Sequence, residues 1–275
     1  MQIADITIRT TLDYDDLPYT YRGDVIELPK TNEIALFTNR DKKEYFNPQM
    51  AMAHALKYLY QATKYDSERA KELVLVYSDA LIAHAEFKDG MIFLPYEFDY
   101  ALHANPDNMM KAGWYSGMAQ GMALSFYSRI NEMKIADCLF NTFISHKITH
   151  FDEDGYYWID EYPYDPPNLT LNGFIYAIYG LYDYYLKTKK PYALSLLLGA
   201  LTTVKKYANE YRVPGQVSIY CLAHRVPCDK CGAKYHRTHI KQFNMLYKMT
   251  NDLFFKEFAD ILLNDFKPEG KIGSW

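Results

Sequence analysis

Apolar residues repeat with a period of 3.6 along most of the chain. The clearest stripe runs through Leu171, Phe174, Ile178 and Leu181, and another spans residues 194–204. Such stripes are typical of amphipathic helices that bury one face in a core. Weaker stripes with the same period occur around residues 52–59, 73–81, 118–126, 135–142, 240–247 and 254–261. The pattern predicts eight helices.

The connections between these helices alternate in length. Short breaks fall near residues 65–67, 131–133 and 189–191, and long ones span about 86–114, 146–168 and 209–236. Short links join antiparallel helix pairs. If the pairs stack side by side, the first helix of each pair begins at one end of the stack, and the long connections cross that end. We therefore predict a mainly α fold, an (α/α) toroid of stacked helical hairpins, and an incomplete one because complete toroids need more helices.

The first 45 residues have a different pattern. Ile3, Ile6 and Ile8 alternate with polar residues, and short apolar runs follow at 25–28 and 34–37. Runs of this kind, separated by Gly and Pro, predict short strands. We expect a short β-like N-terminal segment over residues 1–45 and the toroid domain over 46–275. Asn47 and Pro48 have the residue types of a helix cap and first turn.

Composition narrows the classes of protein. Hydrophobic residues make up 49% of the 275 residues, which is enough for a large core. The net charge is -4, and no basic run is interleaved with aromatic residues, so we expect no nucleic-acid partner. No apolar stretch approaches the roughly 18 residues of a membrane span, and the N-terminus does not resemble a signal peptide. Four cysteines are too few for a disulfide framework, and we expect reduced thiols and a cytoplasmic location.

Three tyrosines carry the candidate chemistry. Tyr162, Tyr220 and Tyr235 lie in the long connections or at their exits, each beside a carboxylate, a histidine or a cation. Such neighbours can shift the pKa of a phenol from about 10. Because the long connections cross one end of the predicted stack, we expect these tyrosines and Glu161 to share one cleft. The residue types favour proton transfer.

Several motifs resemble, in order, the C-terminal domain of the D-glucuronyl C5-epimerase family. Residues 113–121, GWYSGMAQG, resemble the family's GWYSAMAQG. The sequences at 161–163 (EYP), 171–174 (LNGF) and 180–183 (GLYD) are similar to its EEYP, LNGF and GLYD, and those at 218–220 (SIY) and 235–240 (YHRTHI) to its IYDLRH and YHTTHI. The resemblance extends from about Asn47 to Phe258. Cys221 and Ala223 stand where the family pattern has Asp and Arg, and about 45 residues replace the β-rich region that precedes the helical domain in the animal enzymes.

The resemblance implies an (α/α) toroid that converts D-glucuronate to L-iduronate residues in a glycan, with no cofactor required. It also implies that Glu161, Tyr162, Tyr220 and Tyr235 are catalytic. Inversion at C5 requires removing a proton beside a carboxylate and delivering one to the opposite face. We expect Tyr235 and Glu161 to flank C5, with Tyr162 and Tyr220 donating hydrogen bonds to the sugar carboxylate or relaying protons. Lys234, His236 and Arg237 would lower the pKa of Tyr235.

The expected partner is a uronic-acid-containing oligo- or polysaccharide, and a homodimer is left open. Aromatic side chains can stack on sugars, and cations or hydrogen-bond donors can stabilise an anionic intermediate. The predicted substrate-binding residues are Trp114, Tyr115, Gln120, Asn172, His224, Arg225, His236, Arg237 and His239.

The sequence also fits three other interpretations. His224, Cys228, Cys231 and His236, with Cys221 as a further thiol, could close a tetrahedral zinc site, although the spacing is not that of a familiar finger. Glu161 with Asp160 or Asp165 could form the acid and base of a glycoside hydrolase on the same toroid. A third possibility is a non-catalytic glycan-binding protein.

Overall fold

Helices dominate the structure, a computed structural model that describes residues 1–19, 25–39, 42–223 and 232–268. The eight predicted helices are confirmed within these ranges. They are α1 (Pro48–Tyr65), α2 (Glu68–Ala83), α3 (Gly117–Arg129), α4 (Met133–Phe140), α5 (Leu171–Thr188), α6 (Pro191–Tyr207), α7 (Gly232–Thr250) and α8 (Leu253–Asp265).

Consecutive helices pair into four hairpins, as the short connections predict. α1 packs on α2, α3 on α4, α5 on α6 and α7 on α8, and the first helices of the pairs also pack in the order α1, α3, α5 and α7. These four inner helices begin at the same end of the stack, and their partners lie outside them. This is the arrangement of an (α/α) toroid.

Two glycines bring the inner helices α3 and α5 into backbone contact. A Cβ on Gly121 would overlap the backbone of Ala177, and one on Gly180 would overlap the backbone of Gly121. Further along the same pair of helices, the Arg129 guanidinium binds the buried carboxylate of Asp183 at 2.8 Å. These contacts fix the relative position of the two helices.

The long connections carry short antiparallel strand pairs. Residues 84–116 contain β3 (Glu86–Lys88) paired with β4 (Met91–Phe93), β5 (Pro95–Tyr96) with β8 (Trp114–Tyr115), and β6 (Tyr100–Ala101) with β7 (Met109–Met110); residues 141–170 contain β9 (Thr149–Phe151) paired with β10 (Tyr157–Ile159). Because each connection runs from an outer helix to the next inner one, these hairpins lie at the end where the inner helices begin.

The strands predicted near Ile3–Ile8 and at 25–28 are wrong, and the run at 34–37 contributes only its last residue. Within the described part of the N-terminal segment, the first strand is β1 (Phe37–Thr38), which pairs with β2 (Glu44–Tyr45). The preceding backbone bonds to the helical body instead of to a partner strand. The N–H of Ala4 donates to Thr202 Oγ1 at 2.8 Å, and that of Ala35 donates to Tyr77 Oη at 3.0 Å. Ile6 and Tyr19 are buried in the same core as the helices.

The predicted start of the first helix is confirmed. Asn47 has an extended conformation, its side-chain oxygen accepts a hydrogen bond from the N–H of Met50 at 3.0 Å, and Pro48 occupies the first turn. This is the usual geometry of an N-cap.

Over the described ranges, the structure contains no helix that is both long and apolar enough to cross a bilayer.

Candidate active site

A cavity of about 320 Å3 opens where the inner helices begin. All four inner helices and the connections above them contribute to its wall. The lining residues are Asn47 and Gln49 at the start of α1; Ser116 and Met118 at α3; Asn172 and Tyr176 of α5; Lys234, Tyr235 and Thr238 of α7; and Phe37, Tyr96, Phe98, Tyr100, Trp114, Glu161 and Tyr162. The cleft predicted from the alternating connections therefore exists, and it contains predicted catalytic residues.

Glu161 is the acidic group of this cavity. It follows β10 by two residues, and only 6% of its surface is exposed. Its carboxylate lies against Gly173 in the first turn of α5. Burial raises the pKa of Glu161 to about 7, and the smaller effects of Tyr162 and the Gly173 N–H act in the opposite direction. Oε2 is buried against Gly173, and the described residues offer it no hydrogen-bond partner.

The three predicted tyrosines lie next to one another beside Glu161. Tyr162 Oη lies 3.5 Å from Tyr220 Oη, and the ring centres of Tyr220 and Tyr235 are 4.4 Å apart. Tyr162 and Tyr235 line the cavity, whereas Tyr220 lies behind them. The structure therefore brings together all four side chains that the sequence predicts to be catalytic.

Two of these phenols are held in the neutral form. Burial, followed by the charge of Glu161, raises the pKa of both Tyr162 and Tyr220 well above the usual value. Both remain protonated at neutral pH, and both can donate hydrogen bonds. Near Tyr235 the environment is cationic, because Lys234 Nζ lies 5.7 Å from the centre of its ring.

The position of Tyr220 is set by the start of α5 and by two buried histidines. The Tyr220 carbonyl accepts a hydrogen bond from the N–H of Leu171 at 3.2 Å. The N–H of Ser218 donates to His236 Nδ1 at 2.9 Å, and Ser218 Oγ lies 2.8 Å from His239 Nδ1. Both imidazoles are fully buried, and burial lowers the pKa of His239 to about 3, so this ring is neutral. His236 and His239 support the segment behind the cavity and do not line it.

The other predicted substrate-binding residues divide between cavity and scaffold. Trp114 and Asn172 line the cavity. Tyr115 lies outside the lining, where its hydroxyl donates to Glu86 Oε2 at 2.6 Å. The Gln120 side chain is buried and bonds to the backbone of Ile92 and Leu94. Arg237 lines an adjoining pocket, and His224 and Arg225 lie outside the described residues.

The predicted zinc ligands are described only in part. His224, Cys228 and Cys231 fall outside the described residues. His236 already uses both ring nitrogens, because Nδ1 accepts from Ser218 and Nε2 lies 3.0 Å from the carbonyl oxygens of Leu262 and Phe266. Across the described part of the chain, no three His, Cys, Asp or Glu side chains are grouped as metal ligands. The zinc site stays a prediction.

Some residues of the site were missing from the prediction. Asn47 reaches the cavity because it caps the first inner helix, and all inner helices begin there, so its position could have been derived from the toroid geometry. Lys234 directly precedes Tyr235, and the sequence indicates it only as a cation beside that tyrosine. No periodicity indicates Tyr100, whose ring stacks on Tyr162 with centres 5.5 Å apart. His103 Nε2 lies 3.1 Å from Asn168 Oδ1, and this contact also joins residues from separate connections.

A comparison with known protein families shows which family the chain belongs to. The family described as D-glucuronyl C5-epimerase C-terminus matches residues 88–262, more than half of the chain. The chain belongs to this family, as the motifs indicate. Glu161 and the three tyrosines all lie within the matched range.

Individual relatives match less of the chain. The D-glucuronyl C5-epimerase of Caenorhabditis elegans is 34% identical over 85 residues, which cover 27% of this chain and 14% of that protein. The crystal structure of unsaturated glucuronyl hydrolase from Bacillus sp. GL1, responsible for the degradation of glycosaminoglycan, matches with a TM-score of 0.50 and 12% identity over 79% of this chain and 60% of that one. At that identity the likeness shows the toroid fold alone. This chain spans less than two thirds of the length of either protein.

Proposed function

We propose that the chain is a uronic-acid C5-epimerase that converts D-glucuronate to L-iduronate residues within a glycan. The observation that carries the proposal is the position of Glu161, a buried acid with a pKa of about 7, in one cavity with Tyr235. Family membership supports the same reaction. A pKa near the working pH suits a group that must both accept and return a proton.

The reaction breaks and re-forms one C–H bond. One side chain takes the C5 proton, and the electron pair of that bond moves into the sugar carboxylate to give an enediolate. A second side chain then delivers a proton to the opposite face of C5. Glu161 and Tyr235 are the proposed pair, and either can act first, depending on the sugar that is bound. Nothing is oxidised or reduced, so the proposed reaction requires no cofactor.

The remaining groups stabilise the charge of the enediolate. Tyr162 and Tyr220 are kept protonated by burial and by the charge of Glu161. Tyr162 lines the cavity and suits a hydrogen-bond donor to the sugar carboxylate, whereas Tyr220, whose hydroxyl lies 3.5 Å from that of Tyr162, suits a proton relay. Lys234 and the side-chain amide of Asn172 also lie in the cavity wall. Preorganised donors and cations of this kind commonly lower a barrier by several kcal/mol.

The described part of the cavity wall offers no second carboxylate for the hydrolase alternative. A glycoside hydrolase of the usual kind needs two acids that flank the scissile bond. Among the described lining residues, Glu161 is the sole acid. Asp160 instead accepts a hydrogen bond from His150 at 2.7 Å, and Asp165 is exposed outside the lining. These positions favour the epimerase over the hydrolase.

The test is NMR of glucuronate-containing oligosaccharides, beginning with heparosan fragments, incubated with the protein in deuterium oxide. Deuterium at C5 together with iduronate signals is the expected result. Unlabelled sugars that nevertheless bind would favour a glycan-binding protein. New reducing-end signals would identify a hydrolase. The corresponding incubation with the Glu161→Gln variant controls for exchange that the protein does not catalyse.

A further inference from the structure

The reaction cavity continues along α7 into a second pocket of about 400 Å3. Tyr176, Lys234 and Thr238 line both pockets, so the two pockets adjoin, and together with the cavity's other neighbouring pocket they are called the groove. The second pocket adds Ala233, Arg237 and Lys241 to its wall. None of these added residues belongs to the proposed proton-transfer pair.

Three cations face this second pocket. Lys234, Arg237 and Lys241 are spaced three and four residues apart, which places them on one side of α7. Burial and then the charge of Arg237 lower the pKa of Lys241, so two like charges lie close together where solvent is partly excluded. No acidic residue is found among the described residues of the pocket wall. Anionic groups are the ligands that such a wall attracts.

The opposite side of the reaction cavity has a different character. There a pocket of about 610 Å3 shares Phe37, Phe98 and Tyr100 with the reaction cavity. Pro106 and Met109 extend its apolar surface, and its one charged residue among those described is Asp99. The groove is therefore apolar and weakly acidic on one side of Glu161 and cationic on the other.

We propose that the pocket on α7 is a subsite for an acidic group, a carboxylate or a sulfate, on a second sugar residue of the bound glycan. The inference rests on the proposed function, since it takes the ligand to be a glycan that reacts beside Tyr235. From Lys234 to Lys241 the helix rises by about 10 Å, so a neighbouring sugar rather than the reacting one reaches Lys241. The charge difference between the two sides orients the glycan in a single direction.

Three synthetic oligosaccharides test the subsite by titration calorimetry. One is a trisaccharide with a single glucuronate between two N-acetylglucosamines, the second is its N-sulfated form, and the third is the pentasaccharide with two glucuronates. The wild-type protein is expected to bind at least one of the two more acidic ligands about fivefold more tightly than the plain trisaccharide, the combined effect of two modest ion pairs. Preference for the pentasaccharide identifies the carboxylate, and preference for the N-sulfated trisaccharide identifies the sulfate.

Variants on α7 decide whether this preference comes from the pocket. The double variant Arg237→Gln/Lys241→Gln is expected to lose the preference for the more acidic ligand. Lys241→Glu is expected to lower the affinity for that ligand more than Lys241→Gln does. Lys134→Gln is the matched control, because Lys134 is an exposed lysine in α4 near the other end of the bundle. Equal affinity of the wild type for all three ligands, or a preference that survives in the folded double variant, overturns the subsite.

Measurements of binding and of turnover distinguish failure of the subsite from failure of the epimerase. Charge-dependent binding that is lost in the double variant supports the subsite even if no deuterium enters C5, and in that case the epimerase alone fails. Exchange at C5 without any charge preference overturns the subsite and leaves the epimerase in place.

Discussion

The carboxylate of Glu161 lies directly against the backbone of Gly173. A Cβ at position 173 would overlap the carboxylate and the Cβ of Glu161, so this position leaves no room for a side chain. The contact places the acid beside the first turn of α5, where backbone N–H groups have no partner within the helix. The Gly173 N–H partly offsets the effect of burial on the pKa of Glu161.

Gly173→Ala is therefore expected to displace the carboxylate. A shift of about 1 Å in a reacting group can reduce a rate about 100-fold, and we expect a loss of deuterium exchange at C5 of this order. The fold should persist, because Ala favours a helix over Gly by about 1 kcal/mol. The measurements are exchange by NMR and thermal unfolding. Gly199→Ala is the control, since the three atoms nearest to a Cβ there all belong to the flexible side chain of Met1. Full exchange in Gly173→Ala would contradict the role of the contact.

The pH dependence of exchange tests Glu161 as the base. With a pKa of about 7, its carboxylate form increases as the pH rises through neutrality. For a sugar from which Glu161 removes the proton, exchange should rise with pH and level off above about pH 7. Glu161→Gln should abolish exchange at every pH. A profile that is flat from pH 5 to 8 in the wild type would assign the base to another group.

The stability of the protein should change with pH in the opposite direction. Burial raises the pKa of Glu161 from 4.5 to about 7, so between these values the folded state binds more protons than the unfolded state. The contribution of Glu161 to the free energy of unfolding is therefore complete below about pH 4.5 and is lost as the pH rises through about 7, on the order of 3 kcal/mol in total. Urea unfolding of the wild type and of Glu161→Gln should be compared across this pH range. The free energy of unfolding of the glutamine variant should lack the part of the decrease with pH that Glu161 causes. Parallel curves for the two proteins would contradict the raised pKa.

The helical body of the fold could be predicted from sequence, whereas its N-terminal segment could not. A period of 3.6 and alternating connection lengths depend on local spacing, and they place Glu161 and Tyr235 at one end of the stack. Ile6 and Ile8 alternate with polar residues as strand residues do, but their neighbouring backbone groups bond to helices distant in sequence, such as Ala4 to Thr202. The same limit applies to Tyr115 and Gln120, whose motif gives no indication of which side chains face the cavity.

Tyr235→Phe is expected to abolish exchange while leaving folding and glycan binding nearly intact. The substitution removes only the hydroxyl that would donate or accept the proton, and the ring keeps its contacts with Tyr220 and Lys234. Exchange by NMR and binding by calorimetry should therefore separate. Tyr247→Phe is the matched control, because it removes a phenol hydroxyl near the other end of α7, outside the cavity lining. This variant should catalyse exchange at the wild-type rate. Retained exchange in Tyr235→Phe would refute its assignment to proton transfer.

Ser218 is predicted to act on the reaction through Tyr220, two residues away. Its hydroxyl lies 3.0 Å from His236 Nδ1 and 2.8 Å from His239 Nδ1, and it does not line the cavity. Ser218→Ala removes these contacts and leaves Nδ1 of the buried His239 without the hydroxyl that it contacts among the described residues. We therefore expect a loss of about 1 to 3 kcal/mol in the free energy of unfolding. We also expect a lower kcat with little change in the affinity for glycan, because the hydroxyl of Tyr220 moves while the cavity wall stays in place.

A purely structural role for Ser218 would give the same loss of stability, and a double-mutant cycle with Tyr220→Phe distinguishes the two cases. If Ser218 acts by positioning the Tyr220 hydroxyl, adding Ser218→Ala to Tyr220→Phe should reduce exchange much less than it does in the wild type. An equal fractional loss of exchange in both backgrounds would show that Ser218 affects the reaction independently of that hydroxyl. The exchange rates and urea unfolding of the four proteins in the cycle provide both readouts.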